Sequence, residues 1–326
     1  MNIVISDDYQ DCVRNLKCFA GLASHNVRIF TDTLTDTQAL VGRFADADAL
    51  ILIRERTRID GALLQSLPSL KFISQTGRAA NHVDLAACTE AGIPVAAEGD
   101  ATNAAAELTW ALLLGISRQV VTEANAFKAG KWQTALGTTL RGKTLGIAGY
   151  GRIGALVARY AVAFGMHVVV WGNRENTTAR AIADGHEVVA DRQAFFARCD
   201  VLSLHARLTP QSRGMIAAAD LAAMKPTAIL LNTSRAELIE PGALLAALQS
   251  GRPGFAGIDV HQNEPIFDIA YPLLQLPNVL TTPHIGYVEE DTYELYFGFA
   301  IEQILAWESG RALNLLNPEV WPHRRL

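Results

Sequence analysis

The chain has 326 residues, half of them hydrophobic and 19% charged, with a net charge of −5. That length exceeds one ordinary core and suits two globular domains, and the composition excludes an extended disordered chain. The acidic balance leaves no basic surplus for nucleic acid and no polybasic block for anionic lipid, so neither partner is expected.

The opening MNIVISDDYQ has no basic leader and reads as a first strand. No stretch approaches the ~18 uncharged apolar residues of a membrane span. Cys12, Cys18, Cys88 and Cys199 are scattered, with no C-x-x-C pair, as buried thiols of a reducing compartment would be. A cytoplasmic protein without a metal site is expected.

Apolar runs of strand length follow at 3–6 (IVIS), 27–30 (VRIF), 49–53 (ALILI) and 71–74 (KFIS). Helical patterns lie between them at 35–44 and 82–92. Strands alternating with helices imply βαβ units and a parallel sheet. A long helix is expected from Asn103 to Gly130. Its Trp110, Leu112, Leu113, Leu114, Ile116 and Val120 exceed what one small domain buries, which predicts a homodimer contact. A second series of strands occupies 143–149 (KTLGIAG), 167–171 (HVVVW), 201–205 (VLSLH), 227–233 (TAILLNT), 255–260 (FAGIDV) and 278–284 (NVLTTPH). Helices are expected at 152–164, 191–198, 217–223 and 241–250. A last helix, 289–309, is assigned to the first domain. The expected fold is α/β, two doubly wound parallel-sheet domains, with 1–101 plus 288–326 as one and 102–287 as the other.

Gly149-Tyr150-Gly151-Arg152-Ile153-Gly154 is a G-x-G-x-x-G between an apolar strand and an Ala-rich helix. Such glycines allow a tight turn, close backbone approach to a pyrophosphate and close helix–strand packing, with the helix N-terminus facing the negative charge. The next strand ends in Trp171-Gly172-Asn173-Arg174, with no acid to hold ribose hydroxyls. Arg174 offers a guanidinium for a 2′-phosphate, so Asn173 and Arg174 are expected to line the ribose pocket. NAD(P) is the expected cofactor, with a lean to NADP.

Ligands of open parallel sheets bind beyond the carboxyl ends of the strands. There the second series places His205, Arg235, Asp259 and His284, with Glu264 five residues past Asp259. These groups suit reduction of a 2-keto acid. Arg binds a carboxylate bidentately, His donates a proton near neutral pH, and a carboxylate beside that His fixes its tautomer. His284 is read as the acid and His205 as a strand-end residue near the cofactor. His25, His82, His167, His186, His261 and His323 are read as structural or solvated.

Several stretches, in order, resemble the D-isomer-specific 2-hydroxyacid dehydrogenases: 149–168, 201–210, 224–239, 257–265 (GIDVHQNEP) and 280–287 (LTTPHIGY). The resemblance covers essentially the whole chain. It implies a Rossmann cofactor domain, a flavodoxin-like substrate domain and a dimer. It also implies Arg235 as the substrate-binding arginine, Glu264 as the partner of the histidine and His284 as acid/base. Asp259 matches the residue on the nicotinamide carboxamide. Thr233, Ser234, His205, Ala206, Arg207 and Gly286 fall at cofactor contacts. Gly77, Arg78 and Ala79 match a substrate loop whose amides meet the carboxylate. Ala236, Ala79, Arg78 and Arg207 depart from the usual family residues, and Gly172 stands where NAD-specific members place Asp. Glyoxylate and hydroxypyruvate are the expected substrates. A phosphoglycerate dehydrogenase-type enzyme and a cofactor-sensing corepressor-like protein are the alternatives.

Overall fold

The computed structural model describes residues 1–100, 102–172 and 175–326. The chain divides into two compact units, Met1–Ala101 with Glu289–Leu326, and Thr102–Val288.

The first unit is built on five parallel strands: β1 (Asn2–Ile5), β2 (Asn26–Ile29), β3 (Ala49–Leu52), β4 (Phe72–Thr76) and β5 (Val95–Glu98). Their order is β2-β1-β3-β4-β5, the flavodoxin-like arrangement with its switch point between β1 and β3. Helices α1 (Thr37–Phe44), α2 (Gly61–Gln65) and α3 (Leu85–Glu90) each start at an aspartate. Asp36, Asp60 and Asp84 accept the amides of Ala39, Leu63 and Ala87 at 2.9–3.0 Å, satisfying N–H groups that a helix start leaves unpaired. Val4, Leu50, Leu52, Ile73 and Val95 from the sheet pack with Phe44, Leu63 and Leu64 in one core.

The second unit contains α4 (Thr102–Ser117), α5 (Val120–Lys128), β6 (Thr144–Ala148), α6 (Arg152–Ala163), β7 (His167–Trp171), α7 (Glu175–Ala183), β8 (Glu187–Val188) and α8 (Arg192–Arg198). It continues through β9 (Val201–Leu204), α9 (Ala218–Ala223), β10 (Ile229–Asn232), α10 (Ala243–Ser250), β11 (Phe255–Ile258) and β12 (Val279–Thr281). The sheet order is β12-β11-β10-β9-β6-β7-β8, and every recorded pairing is parallel. Chain direction around β6 reverses between β6 and β9, the switch point of a Rossmann sheet. The remaining helix, α11 (Glu290–Glu308), belongs to the first unit. There it covers β4, with Phe72 and Trp307 rings 5.7 Å apart and the Ser74 hydroxyl donating to Gln303 at 2.7 Å.

One expectation needs correction. The helix drawn from Asn103 to Gly130 is two helices, because Gln119 adopts φ 54° and ends the first. A left-handed residue at that point stops helix propagation whatever its side chain. The apolar residues divide accordingly. Trp110, Leu112, Leu113 and Ile116 of α4 are buried within their own unit, packed so closely on the sheet that a Cβ on Gly257 would lie 2.8–3.2 Å from Leu231, Ile116 and Leu112. The surplus apolar surface lies further on, at Val120, Val121, Phe127, Trp132 and Leu136, all exposed.

Candidate active site

The turn after β6 has the form its glycines dictate. Gly149 sits at φ +100°, and a Cβ there would lie 2.5–2.8 Å from the backbone of His205 and Ala206. At Gly154 a Cβ would come 2.6 Å from the Gly149 carbonyl, so the third glycine brings α6 down onto the loop. Gly151 differs, since a Cβ there would meet nothing within 4 Å. It caps the twelve-residue α6, whose first amides have no intrahelical partners. A glycine facing open space at a helix N-terminus fits a pyrophosphate. The Tyr150 side chain turns inward, its hydroxyl donating to Asp184 at 2.7 Å, so Tyr150 offers a ligand only its backbone. Arg152 is exposed, while Ile153 is partly buried. Asn173 and Arg174 lie outside the described residues.

The strands β9, β10, β11 and β12 run parallel, so the residues that follow them share one edge of the sheet. His205 follows β9, with Nε2 and the Ser203 hydroxyl 2.8 Å apart. Burial pushes its pKa down to about 4, which leaves it neutral at working pH. Ala206 accepts the Ser234 hydroxyl at 2.8 Å, and Arg207 is exposed beyond it. After β10, Asn232 organises the turn. Its Oδ1 accepts the Ser234 amide at 3.1 Å and its Nδ2 donates to the Arg235 carbonyl at 2.9 Å. The hydroxyls of Thr233 and Thr109 are 2.6 Å apart, tying this turn to α4. The Arg235 guanidinium donates to the Ser234 carbonyl at 2.7 Å.

Asp259, after β11, is fully buried and governs the loop that follows β12. Its Oδ1 accepts the Thr282 hydroxyl at 2.6 Å and the Ile285 amide at 2.8 Å. Its Oδ2 accepts the Gly286 amide at 2.9 Å. Burial pushes the Asp259 carboxyl above its ordinary range, although these donors and the neighbouring His284 pull the other way. The Gly286 amide is therefore spent on Asp259.

Between Thr282 and Ile285 stands His284, in the left-handed region at φ 53°. Its Nδ1 is 2.6 Å from Glu264 Oε2. A carboxylate only accepts, so Nδ1 carries the proton and Nε2 is the nitrogen left to exchange one with a ligand. Burial opposes the charge on Glu264, but the hydrogen bond and charge of His284, with the His261 amide 2.7 Å from Oε1, hold its pKa below the ordinary range.

In the first unit, Gly77, Arg78 and Ala79 follow β4. Gly77 has φ +74°, and its amide donates to the Glu98 carbonyl at 2.9 Å, continuing the sheet. Of the three amides named from the sequence, this one is committed. Arg78 Nε and Nη2 lie 2.7 and 2.6 Å from Glu98 Oε1, and the guanidinium holds Glu98 below the usual carboxylate range. Sequence reasoning passed over Arg54, just past β3. Its amide donates to Thr76 at 2.9 Å, its guanidinium lies over the Tyr296 ring at 5.5 Å, and its Nη1 fills the space a Cβ on Gly77 would need. The available signal was a cation two residues beyond a strand end.

The profile for "D-isomer specific 2-hydroxyacid dehydrogenase, NAD binding domain" matches residues 110–286. The chain is 35% identical over 293 residues to a glyoxylate reductase of Thermococcus litoralis, covering 86% of this chain and 87% of that one. It is also 35% identical over 295 residues to a D-3-phosphoglycerate dehydrogenase of Methanocaldococcus jannaschii, covering 89% of this chain but 55% of the longer relative. Among solved structures, an oxidoreductase from Ralstonia solanacearum superposes with a TM-score of 0.95 at 47% identity, over 98% of both chains.

Proposed function

We propose that this chain, which belongs to the D-isomer-specific 2-hydroxyacid dehydrogenase family, reduces a small 2-keto acid to its D-2-hydroxy acid, glyoxylate and hydroxypyruvate being the first candidates. The observation that carries this reading is the Glu264–His284 pair at 2.6 Å, set on the same sheet edge as Arg235. A bound nicotinamide supplies the hydride. Gly149, Gly151 and the start of α6 fit its pyrophosphate, and Thr233, Ser234, His205 and Asp259 stand along the same edge toward the reacting end.

Arg235 takes the substrate carboxylate, with the forked geometry that a planar guanidinium offers. His284 donates its Nε2 proton to the carbonyl oxygen as hydride arrives, and Glu264 holds the imidazole by Nδ1. In the first unit the substrate-loop role expected of Gly77, Arg78 and Ala79 falls to the amides of Arg78 and Ala79, because that of Gly77 stays in the sheet. The missing acid at Gly172 favours NADPH over NADH. The exposed apolar run from Val120 to Leu136, including the Phe127–Trp132 ring pair, suits a second copy of the chain. Four free cysteines suit the cytoplasm.

NADPH and NADH oxidation measured over a panel of 2-keto acids tests the reading. The expected result is highest kcat/KM for glyoxylate or hydroxypyruvate, and no turnover with any member overturns it. The phosphoglycerate dehydrogenase relative motivates a second reading, and the keto form of 3-phosphoglycerate belongs in the panel for that reason.

A further inference from the structure

His261 lies two residues past Asp259 and three before Glu264, and it touches Glu264 as well as the turn that carries His284. Its backbone amide donates to Glu264 Oε1 at 2.7 Å, on the carboxylate whose Oε2 holds His284. Its ring reaches the turn before His284, with Nε2 3.1 Å from the Thr282 carbonyl. A carbonyl oxygen only accepts, so Nε2 carries the proton. The same Thr282 carbonyl accepts the His284 amide at 3.0 Å. That second bond closes a tight turn through Pro283 and accompanies the left-handed φ of 53° at His284.

A residue with a side chain rarely holds a positive φ unless its surroundings impose it. Here the oxygen at the centre of the turn is gripped by the His261 ring. On its other side the ring packs edge-on to Tyr271, centroids 5.5 Å apart, beside a cavity of about 180 Å³ lined also by Ile258 and Leu273. Nδ1 is buried with no hydrogen-bond partner among the described residues. The Thr282 bond is thus the polar tether recorded for the ring.

We infer that His261 is a positioning residue for the Glu264–His284 pair, its amide fixing the carboxylate while its ring fixes the turn that presents the imidazole. This deepens the proposed function and rests on His284 acting as acid/base. The amide contribution survives any substitution except proline, so the ring tether is the part that mutation isolates. Losing it leaves cofactor and substrate binding in place and loosens the proton donor, which lowers kcat and not affinity.

Two variants test this. His261→Phe keeps an aromatic ring against Tyr271 and removes the donor, whereas His261→Gln restores an N–H. In His261→Phe, kcat falls about tenfold, the scale set by small misplacements of a reacting group, while KM for the keto acid and Kd for the cofactor stay within about twofold. Amide exchange over 282–286, followed by hydrogen–deuterium mass spectrometry, becomes faster. His261→Gln recovers both kcat and exchange protection. Wild-type kcat in His261→Phe, or a His261→Gln enzyme as slow as His261→Phe, overturns the inference. Exchange is read without turnover, so it separates the two ideas. Unchanged exchange in His261→Phe removes the tether itself, whereas an active His284→Asn enzyme removes the acid/base reading and leaves the tether standing.

Discussion

Asp259 holds Gly286 by its main chain, the carboxylate Oδ2 accepting the Gly286 amide at 2.9 Å. Together with the bonds from Oδ1 to Thr282 and Ile285, this fastens both flanks of His284 to the end of β11. The imidazole is thus placed by backbone anchored to a buried charge, and its reach does not depend on a flexible loop finding its position. That arrangement makes the consequences of single substitutions specific.

His284→Asn removes the titratable imidazole and leaves the backbone anchors intact. Cofactor affinity is expected to stay at the wild-type level while keto-acid reduction falls roughly 10²–10⁴-fold, the range for a positioned general acid. Fluorescence titration with NADPH and steady-state kinetics check the two halves separately. Near-normal turnover would remove His284 from the mechanism.

Arg235→Lys keeps the positive charge and loses the fork. A point ammonium cannot engage both carboxylate oxygens in one plane, so kcat/KM for the keto acid is expected to fall by at least about tenfold, a loss of one charge-assisted bond. Cofactor Kd should not change. An unaltered kcat/KM shows that the carboxylate is bound elsewhere.

Two half-buried histidines are expected to make the fold acid-sensitive. Burial lowers both His82 and His205 to about 4, while the unfolded chain titrates them near the ordinary value of about 6.5. As pH falls from about 6.5 toward 4 the unfolded state takes up these protons and the folded state does not, so stability declines across that window. The double variant His82→Gln, His205→Asn should flatten the decline, measured as urea midpoints at several pH values. A slope equal to wild type contradicts the account. Since His205 stays neutral there, His205→Asn should also leave the acid limb of the kcat/KM profile in place.

The apolar run after α4 predicts a dimer that charge can split. Phe127 and Trp132 are 65% and 75% exposed and Leu136 is 96% exposed, an uncovered surface of the kind that marks an interface. Phe127→Glu with Trp132→Glu should shift light-scattering mass from dimer to monomer at micromolar concentration. A wild-type monomer under those conditions removes the proposal.

The proposed preference for NADPH is tested at Arg174. A charge-assisted bond to a 2′-phosphate contributes about 1.5–3 kcal/mol, so Arg174→Ala should reduce the NADPH-to-NADH preference about ten- to a hundredfold. Comparing kcat/KM for both cofactors in wild type and variant decides it. A constant ratio means the arginine does not read the phosphate.

Much of this was legible because the physics is local. Runs such as ILLN and VLSL have the length and apolar content of buried strands between helices, and a strand entering G-x-G-x-x-G constrains the turn by sterics alone. The pairing of Glu264 with His284 was also visible, because residue type names the chemistry. Three features were not. β8, with two residues, is too short to show a period. The break at Gln119 has no glycine or proline to announce it. His261, read as structural or solvated, acts through an amide and a neighbour's carbonyl, groups that every residue carries and that no residue type reveals.

The position of β12 has a further consequence. It is a three-residue edge strand, paired on one side only, to β11, and His284 hangs from its end. Edge strands open at a fraction of the free energy needed to unfold a core. The His284 imidazole is therefore carried by the margin of the sheet while Arg235 is carried by its interior. Under heat or denaturant the margin is expected to fray first, so that loss of keto-acid reduction precedes loss of the core's secondary structure.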